Sequence, residues 1–167
     1  MVQSIALLVF PLLMAIAAFS DLFTMKIANS LVLAVVVAFC IVAPLSGLPV
    51  SQMLWHLAAA AVVLLFSFAL FAAGWIGGGD AKLAASIALW LGLELLLPFM
   101  LNAAVLGGIL TLLVLGFRRL ALPPGWHATP WIARLHDAKS GVPYGIALAI
   151  AAALIYPASA VFLGLTR

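Results

Sequence analysis

The stretch LWHLAAAAVVLLFSFALFAAGW, residues 54–75, runs directly into IGGGD, residues 76–80. Its first part holds no Asp, Glu, Lys or Arg. As a helix rising about 1.5 Å per residue, it is long enough to cross a hydrocarbon core about 30 Å thick. The run then stops on three glycines and a carboxylate, Asp80. An ionisable side chain at membrane depth costs roughly 2.5 to 3.5 kcal/mol on insertion scales, which makes it a functional-site candidate by default. The chain has only four acidic residues, and a second one, Asp21, also stands at the edge of an apolar run.

The composition agrees with a membrane setting. Of 167 residues, 68% are hydrophobic and 7% charged, against roughly 45 to 50% and about 25% in a soluble domain. Apolar runs recur at 5–19, 31–45, 54–75, 81–97, 99–117 and 142–165. They predict an all-α polytopic membrane protein, a bundle of about six transmembrane helices in one domain spanning residues 1–167. Pro98 alone separates the fourth and fifth runs, and Glu94 nearby favours a water-facing turn. The polar stretch 118–141 is too short to bury a core of its own. Cys40 has no cysteine partner, which excludes an intrachain disulfide, a zinc knuckle and a CxxC pair. The first twenty residues carry no charged side chain, so they lack the basic region of a cleavable signal, and the first run is expected to stay in the mature protein. Membrane lipids are expected partners; nucleic acid, metal and organic cofactors are not.

Orientation follows from the basic residues. Alternating crossings gather Lys26, Lys82, Arg118, Arg119, Arg134 and Lys139 on one side and leave Arg167 on the other. The positive-inside rule makes the first side cytoplasmic and puts both termini outside. Asp21 follows the first run and Asp80 the third, two crossings apart, so both are expected on the cytoplasmic face. Glu94 lies about 21 Å further along the fourth helix and cannot join them.

Two carboxylates held a few ångströms apart share one proton, leaving one as base and the other as acid. That is the chemistry of aspartyl proteolysis. The ionised member takes a proton from water, the protonated member hydrogen-bonds the scissile carbonyl, and a tetrahedral diol collapses as the amine leaves. HExxH is absent, and neither Ser67 nor Ser86 has the glycine-serine-glycine setting of a serine nucleophile. A helical substrate must unwind to be cut, and Gly77, Gly78 and Gly79 would let its backbone approach closely. Local physics equally allows Asp80 to N-cap the fourth helix, with the glycines serving the turn. It also allows Asp21 to be an interfacial carboxylate that ends the first helix and pairs with Lys26. The rival to an enzyme is a non-catalytic membrane subunit that uses the two carboxylates for proton transfer or partner-helix binding.

Three segments, in order, carry a family resemblance: Asp21-Leu22-Phe23-Thr24-Met25-Lys26-Ile27-Ala28-Asn29, then Gly77-Gly78-Gly79-Asp80-Ala81-Lys82-Leu83, then Gly141-Val142-Pro143-Tyr144-Gly145. Together with the six runs they resemble the type IV prepilin peptidases. The short chain is most similar to the minimal members that process Flp-type pilins of tight-adherence secretion systems. The resemblance implies that Asp21 and Asp80 are the catalytic pair, the second within a GxGD motif shared with presenilin-type proteases. It implies a substrate too: the N-terminal leader of a prepilin or pseudopilin, cut at the cytoplasmic face of the bacterial inner membrane, with contact to pilus assembly machinery. Where the family often shows Ile-Pro-Asn, this chain has Ile27-Ala28-Asn29, a less rigid loop. Larger members N-methylate the new amino terminus and carry a further cytoplasmic domain with paired cysteines. With neither feature here, peptidase activity alone is expected.

Supporting residues follow. Lys82 stands two positions after Asp80, points away from it on a helix, and is expected to snorkel to headgroups sooner than to contact substrate. Asn29 is expected to cap the second helix sooner than to bond a substrate backbone. Pro143, Tyr144 and Gly145 open the last helix, and only the resemblance brings them to the site. In the polar stretch, Thr129 and Pro130 read as a helix start and Gly141 as its stop. Trp131, Ile132 and Leu135 would then face lipid, while Arg134, His136 and Lys139 meet water or phosphate. His127 is read as interfacial and His56 as remote from the pair.

Overall fold

The computed structural model describes residues 2–167, the side chains of Val2, Pro124 and His127 excepted. The helices are α1 (Val2–Thr24), α2 (Asn29–Leu45), α3 (Val50–Ala72), α4 (Gly78–Leu91), α5 (Leu96–Arg118), α6 (Pro130–His136), α7 (Tyr144–Ile155) and α8 (Ala160–Leu165). Among the described residues there is no strand. The fold is all-α, as the apolar runs predict.

The expected six crossings are not all full-length helices. Gln3–Thr24, Val50–Ala72 and Leu93–Arg118 are long and apolar enough to cross a membrane, whereas Asn29–Leu45 and Tyr144–Ala158 are apolar but shorter. Glycine and proline account for the breaks. The fourth and fifth runs part at Gly92, not at Pro98. Gly92 has φ 73, a left-handed conformation in which other residues are strained. A Cβ there would also lie 2.9 Å from His56 Nε2. Pro98 instead sits in the first turn of α5, where its missing N–H forfeits no helical bond. Glu94 falls in the short 3-10 turn Leu93–Leu95 and is exposed, as expected. The last run breaks at Pro157, in the turn Tyr156–Ala158, and Ser159 restarts it by accepting the Phe162 N–H at 3.2 Å.

α4 and α7 form the middle of the bundle. α4 packs between α2 and α3 and touches α7, and α7 packs between α1 and α5. Phe10 of α1 stacks on Trp90 of α4 at 4.8 Å and on Tyr156 at 4.7 Å, and Phe39 of α2 meets Trp90 edge-on at 5.8 Å. The Trp90 indole N–H donates to the Val35 carbonyl at 3.0 Å, so this aromatic core holds the ring without an orphaned donor. Leu65, Phe68, Leu112 and Leu113 stay exposed on the outside, where the solvent is lipid.

One close approach sets the spacing of α5 and α7. The Tyr144 ring occupies the space that a Cβ on Gly107 would need, and its hydroxyl donates to the Ala103 carbonyl at 3.4 Å. Small residues permit such contact in membranes. Gly107→Ala is expected to cost roughly 1 to 3 kcal/mol by overpacking, read as a lower unfolding midpoint in detergent. Gly108→Ala, which would meet nothing within 4 Å, should leave the midpoint in place.

Candidate active site

The end of α1 is built by hydroxyls. Thr24 Oγ1 donates to the Ser20 carbonyl at 2.7 Å and lies 3.1 Å from the Lys26 carbonyl, while Ser20 Oγ donates to that same Lys26 carbonyl at 3.0 Å. The Lys26 N–H closes back on Thr24 Oγ1 at 3.2 Å. Between them Met25 takes φ 51, and its N–H reaches the Asp21 carbonyl at 2.8 Å. A left-handed residue of this kind ends helices, usually as glycine. A methionine there bears strain, about 1 to 2 kcal/mol, which the hydroxyl contacts hold in place. The reversal carries Ile27 back toward the bundle.

Asp21 is 5% exposed, and its environment explains how an apolar bundle accepts it. Its Oδ2 accepts the Gly145 N–H at 2.7 Å. Gly145 is the second residue of α7, and its N–H has no acceptor within its own helix. The N-cap of α7 is Pro143, which offers no side-chain cap. Asp21 therefore caps α7 from another helix. A Cβ on Gly145 would lie 2.8 Å from both Asp21 Oδ2 and Ile27 Cδ1, so only glycine leaves room for this contact.

Asp80 is not the N-cap that one sequence reading allowed. Gly77 holds that place, and Asp80 is the third residue of α4. Its carboxylate turns back toward Gly77, the position from which an acidic third residue supplies half of a capping box. The positive end of the helix dipole favours a carboxylate there. The three glycines each have an internal reason as well. A Cβ on Gly77 would sit 3.0 Å from Asp80 Oδ2, one on Gly78 would sit 3.2 Å from the Phe71 ring, and one on Gly79 would sit 3.2 Å from Ile27 Cβ. The turn itself depends on Gly74, with φ 75.

Ile27 thus wedges between Gly79 and Gly145, joining the three motif segments. Asp21 and Asp80 line one cavity of about 450 Å³ with Met25, Lys26, Ile27, the three glycines, Gly141 and Val142. Glu94 is elsewhere: it lines a separate cavity at the other end of α4 with His56, whose Nδ1 lies 2.8 Å from the Leu89 carbonyl. Among the described residues no three His, Cys, Asp or Glu side chains cluster as metal ligands.

Other expectations are corrected. Lys26 lines the cavity without an ion pair to Asp21, its backbone being held by Ser20 and Thr24. Asn29 does not cap α2, because Ala28 is the N-cap; its Oδ1 accepts from Lys82 Nζ at 3.0 Å, tying α2 to α4. Lys82 is accordingly not simply directed at headgroups. The polar stretch also differs. α6 ends at His136, short of Gly141, with Asp137 Oδ1 accepting the Lys139 N–H at 2.9 Å. Trp131 meets Phe23 edge-on at 5.5 Å, and Arg134 Nη2 donates to the Phe23 carbonyl at 2.6 Å, so both face the end of α1. His136 Nε2 lies 2.9 Å from the Leu120 carbonyl.

Arg118 was missed by sequence reasoning. Its Nε donates to the Leu135 carbonyl at 2.9 Å, and its Nη2 donates to the Ser140 and Gly141 carbonyls at 2.9 and 2.8 Å. It thereby clamps the cavity wall formed by Gly141. Backbone carbonyls leave no mark in a sequence, so nothing distinguished this arginine from a headgroup contact.

With this geometry in hand, comparison with known proteins narrows the chemistry. The model of the type IV leader peptidase family matches residues 8–112. That span includes both aspartates and stops before Gly141 and α7. No curated protein and no solved structure matches the chain.

Arg118→Lys separates a clamp from a headgroup contact, because lysine keeps the charge but cannot present the planar fork. Loss of the carbonyl bonds should cost about 1 to 3 kcal/mol and speed amide exchange across residues 135–143. Exchange at the wild-type rate would count against the clamp.

Proposed function

Because the chain belongs to the type IV leader peptidase family, we propose that it is an intramembrane aspartyl endopeptidase acting through Asp21 and Asp80. The carrying observation is that these two carboxylates, far apart in sequence, line a single cavity at the ends of three helices. Asp21 is held by the Gly145 N–H, and Asp80 Oδ2 folds back against Gly77 at the start of its own helix. Such fixed donors orient a carboxylate without neutralising it.

The pair shares one proton. The ionised member draws a proton from the attacking water, and the protonated member donates to the carbonyl oxygen of the scissile bond. Water adds to the carbonyl carbon, the proton returns to the leaving nitrogen, and the C–N bond breaks. Gly78 and Gly79, the first two residues of α4, border the same cavity, and their N–H groups are available to an unwound substrate strand. The substrate we assign is the leader of a small, Flp-type prepilin or pseudopilin, cut at the cytoplasmic face of the inner membrane, with both termini of the enzyme outside. The distribution of basic residues supports this orientation.

Asp21 also caps α7, which favours a purely structural reading of that residue and dictates the test. Asn keeps an oxygen that can accept the Gly145 N–H but gives up the titratable carboxyl. Cleavage of co-expressed small prepilins, read by product mass, should fall by about a hundred- to ten-thousandfold for Asp21→Asn and for Asp80→Asn. Membrane levels of both variants should hold. If both asparagine variants still cut, the carboxylates are structural and the protease reading fails. Gly145→Ala, which pushes Asp21 and Ile27 apart, should lower cleavage about a hundredfold through misplacement alone.

A further inference from the structure

The bundle is open between α3 and α5. α3 packs on α4 and α5 packs on α7, which leaves an apolar groove of about 540 Å³. Ala84 of α4 and Leu148 of α7 lie along its floor, Phe66 of α3 and Met100 of α5 on its walls. Its ends matter most. Ile76 and Tyr144 line the groove, and they immediately precede Gly77, which lines the aspartate cavity, and Gly145, whose N–H bonds Asp21. The groove thus lies beside the cavity that holds Asp21 and Asp80, with Ile76 next to Gly77 and Tyr144 two residues from Val142, both of the cavity lining.

We propose that this groove holds the apolar transmembrane helix of the enzyme's own substrate, the segment that continues from the cleaved bond into the membrane. The inference rests on the peptidase reading above. A chain cut between Asp21 and Asp80 has to pass from that cavity into lipid, and this opening comes within one residue of the cavity lining at Ile76 and within two at Tyr144. Helix docking in a bilayer gains nothing from apolarity, since lipid tails are as apolar as leucine. It depends on close packing, and a concave slot with alanine in its floor supplies that. The groove takes side chains from one face of a helix and leaves the other face in lipid. Its occupant is thus recognised by shape, while the backbone near Gly77 handles the unwound segment.

Ala104, exposed on the α5 wall of the groove, gives a test. Ala104→Trp fills the slot without touching the site. Two substrates are compared: a full small prepilin in membranes, and a synthetic peptide that stops before the apolar helix. The variant should cut the prepilin about tenfold more slowly, a barrier of about 1.4 kcal/mol, and cut the peptide at the wild-type rate, which also shows that it folds. A photo-crosslinking residue at Phe66 should form an adduct with the prepilin helix, and one at Leu113, outside the groove, should not. Equal slowing of both substrates, or of neither, overturns the proposal. So does a Phe66 adduct with lipid alone, or with a second copy of the chain. A wild-type enzyme that cuts neither substrate defeats the peptidase reading itself, and this proposal with it.

Discussion

Asp21 and the N-terminus of α7 each carry a cost that the other removes. A carboxylate that is 5% exposed at the end of an apolar bundle is costly to hold there without hydrogen-bond donors. The Gly145 N–H in the first turn of α7 equally lacks a local acceptor, because Pro143 brings no capping side chain. The bond from Gly145 to Asp21, at 2.7 Å, answers both. It also decides residues around it. Position 145 has to be glycine, Ile27 has to pass between two bare backbones, and α1 has to reverse sharply enough at Met25 to deliver Ile27 there.

Asp80 obeys the same constraint by a local route. Its acceptor oxygens turn to the Gly77 backbone within its own helix, so α4 caps itself while α7 is capped from outside. One aspartate is thus fixed by sequence neighbours and the other by tertiary contact. A second layer supports them. The hydroxyls of Ser20 and Thr24 bind the turn after α1, and the guanidinium groups of Arg134 and Arg118 occupy carbonyls at Phe23, Leu135, Ser140 and Gly141. Carbonyls near helix ends need donors as much as helix starts need acceptors. A polar stretch whose sequence suggests a membrane-surface strap is in fact pinned to the helix that carries Asp21. The far end of α4 follows a separate logic, with Gly92, His56 and Glu94 around a different cavity.

Composition and runs of apolar residues determined the class of this protein unaided: an all-α membrane chain with its few carboxylates at the edges of apolar segments. Parity of crossings puts Asp21 and Asp80 on one face as an expectation from the order of the runs, and the two carboxylates line one cavity. Exact helix ends were less legible. Gly92 outranks Pro98 as a break because proline is tolerated in a first turn, whereas a φ of 73 is tolerated only by glycine. What only the tertiary structure decided is which polar groups meet. The cap on α7 comes from α1, Ile27 is the wedge, and Arg118 holds Gly141, because backbone N–H and carbonyl groups are present at every position and carry no residue identity. Sequence names the side chains able to pair in a membrane; the packing of helices selects the backbone groups they reach.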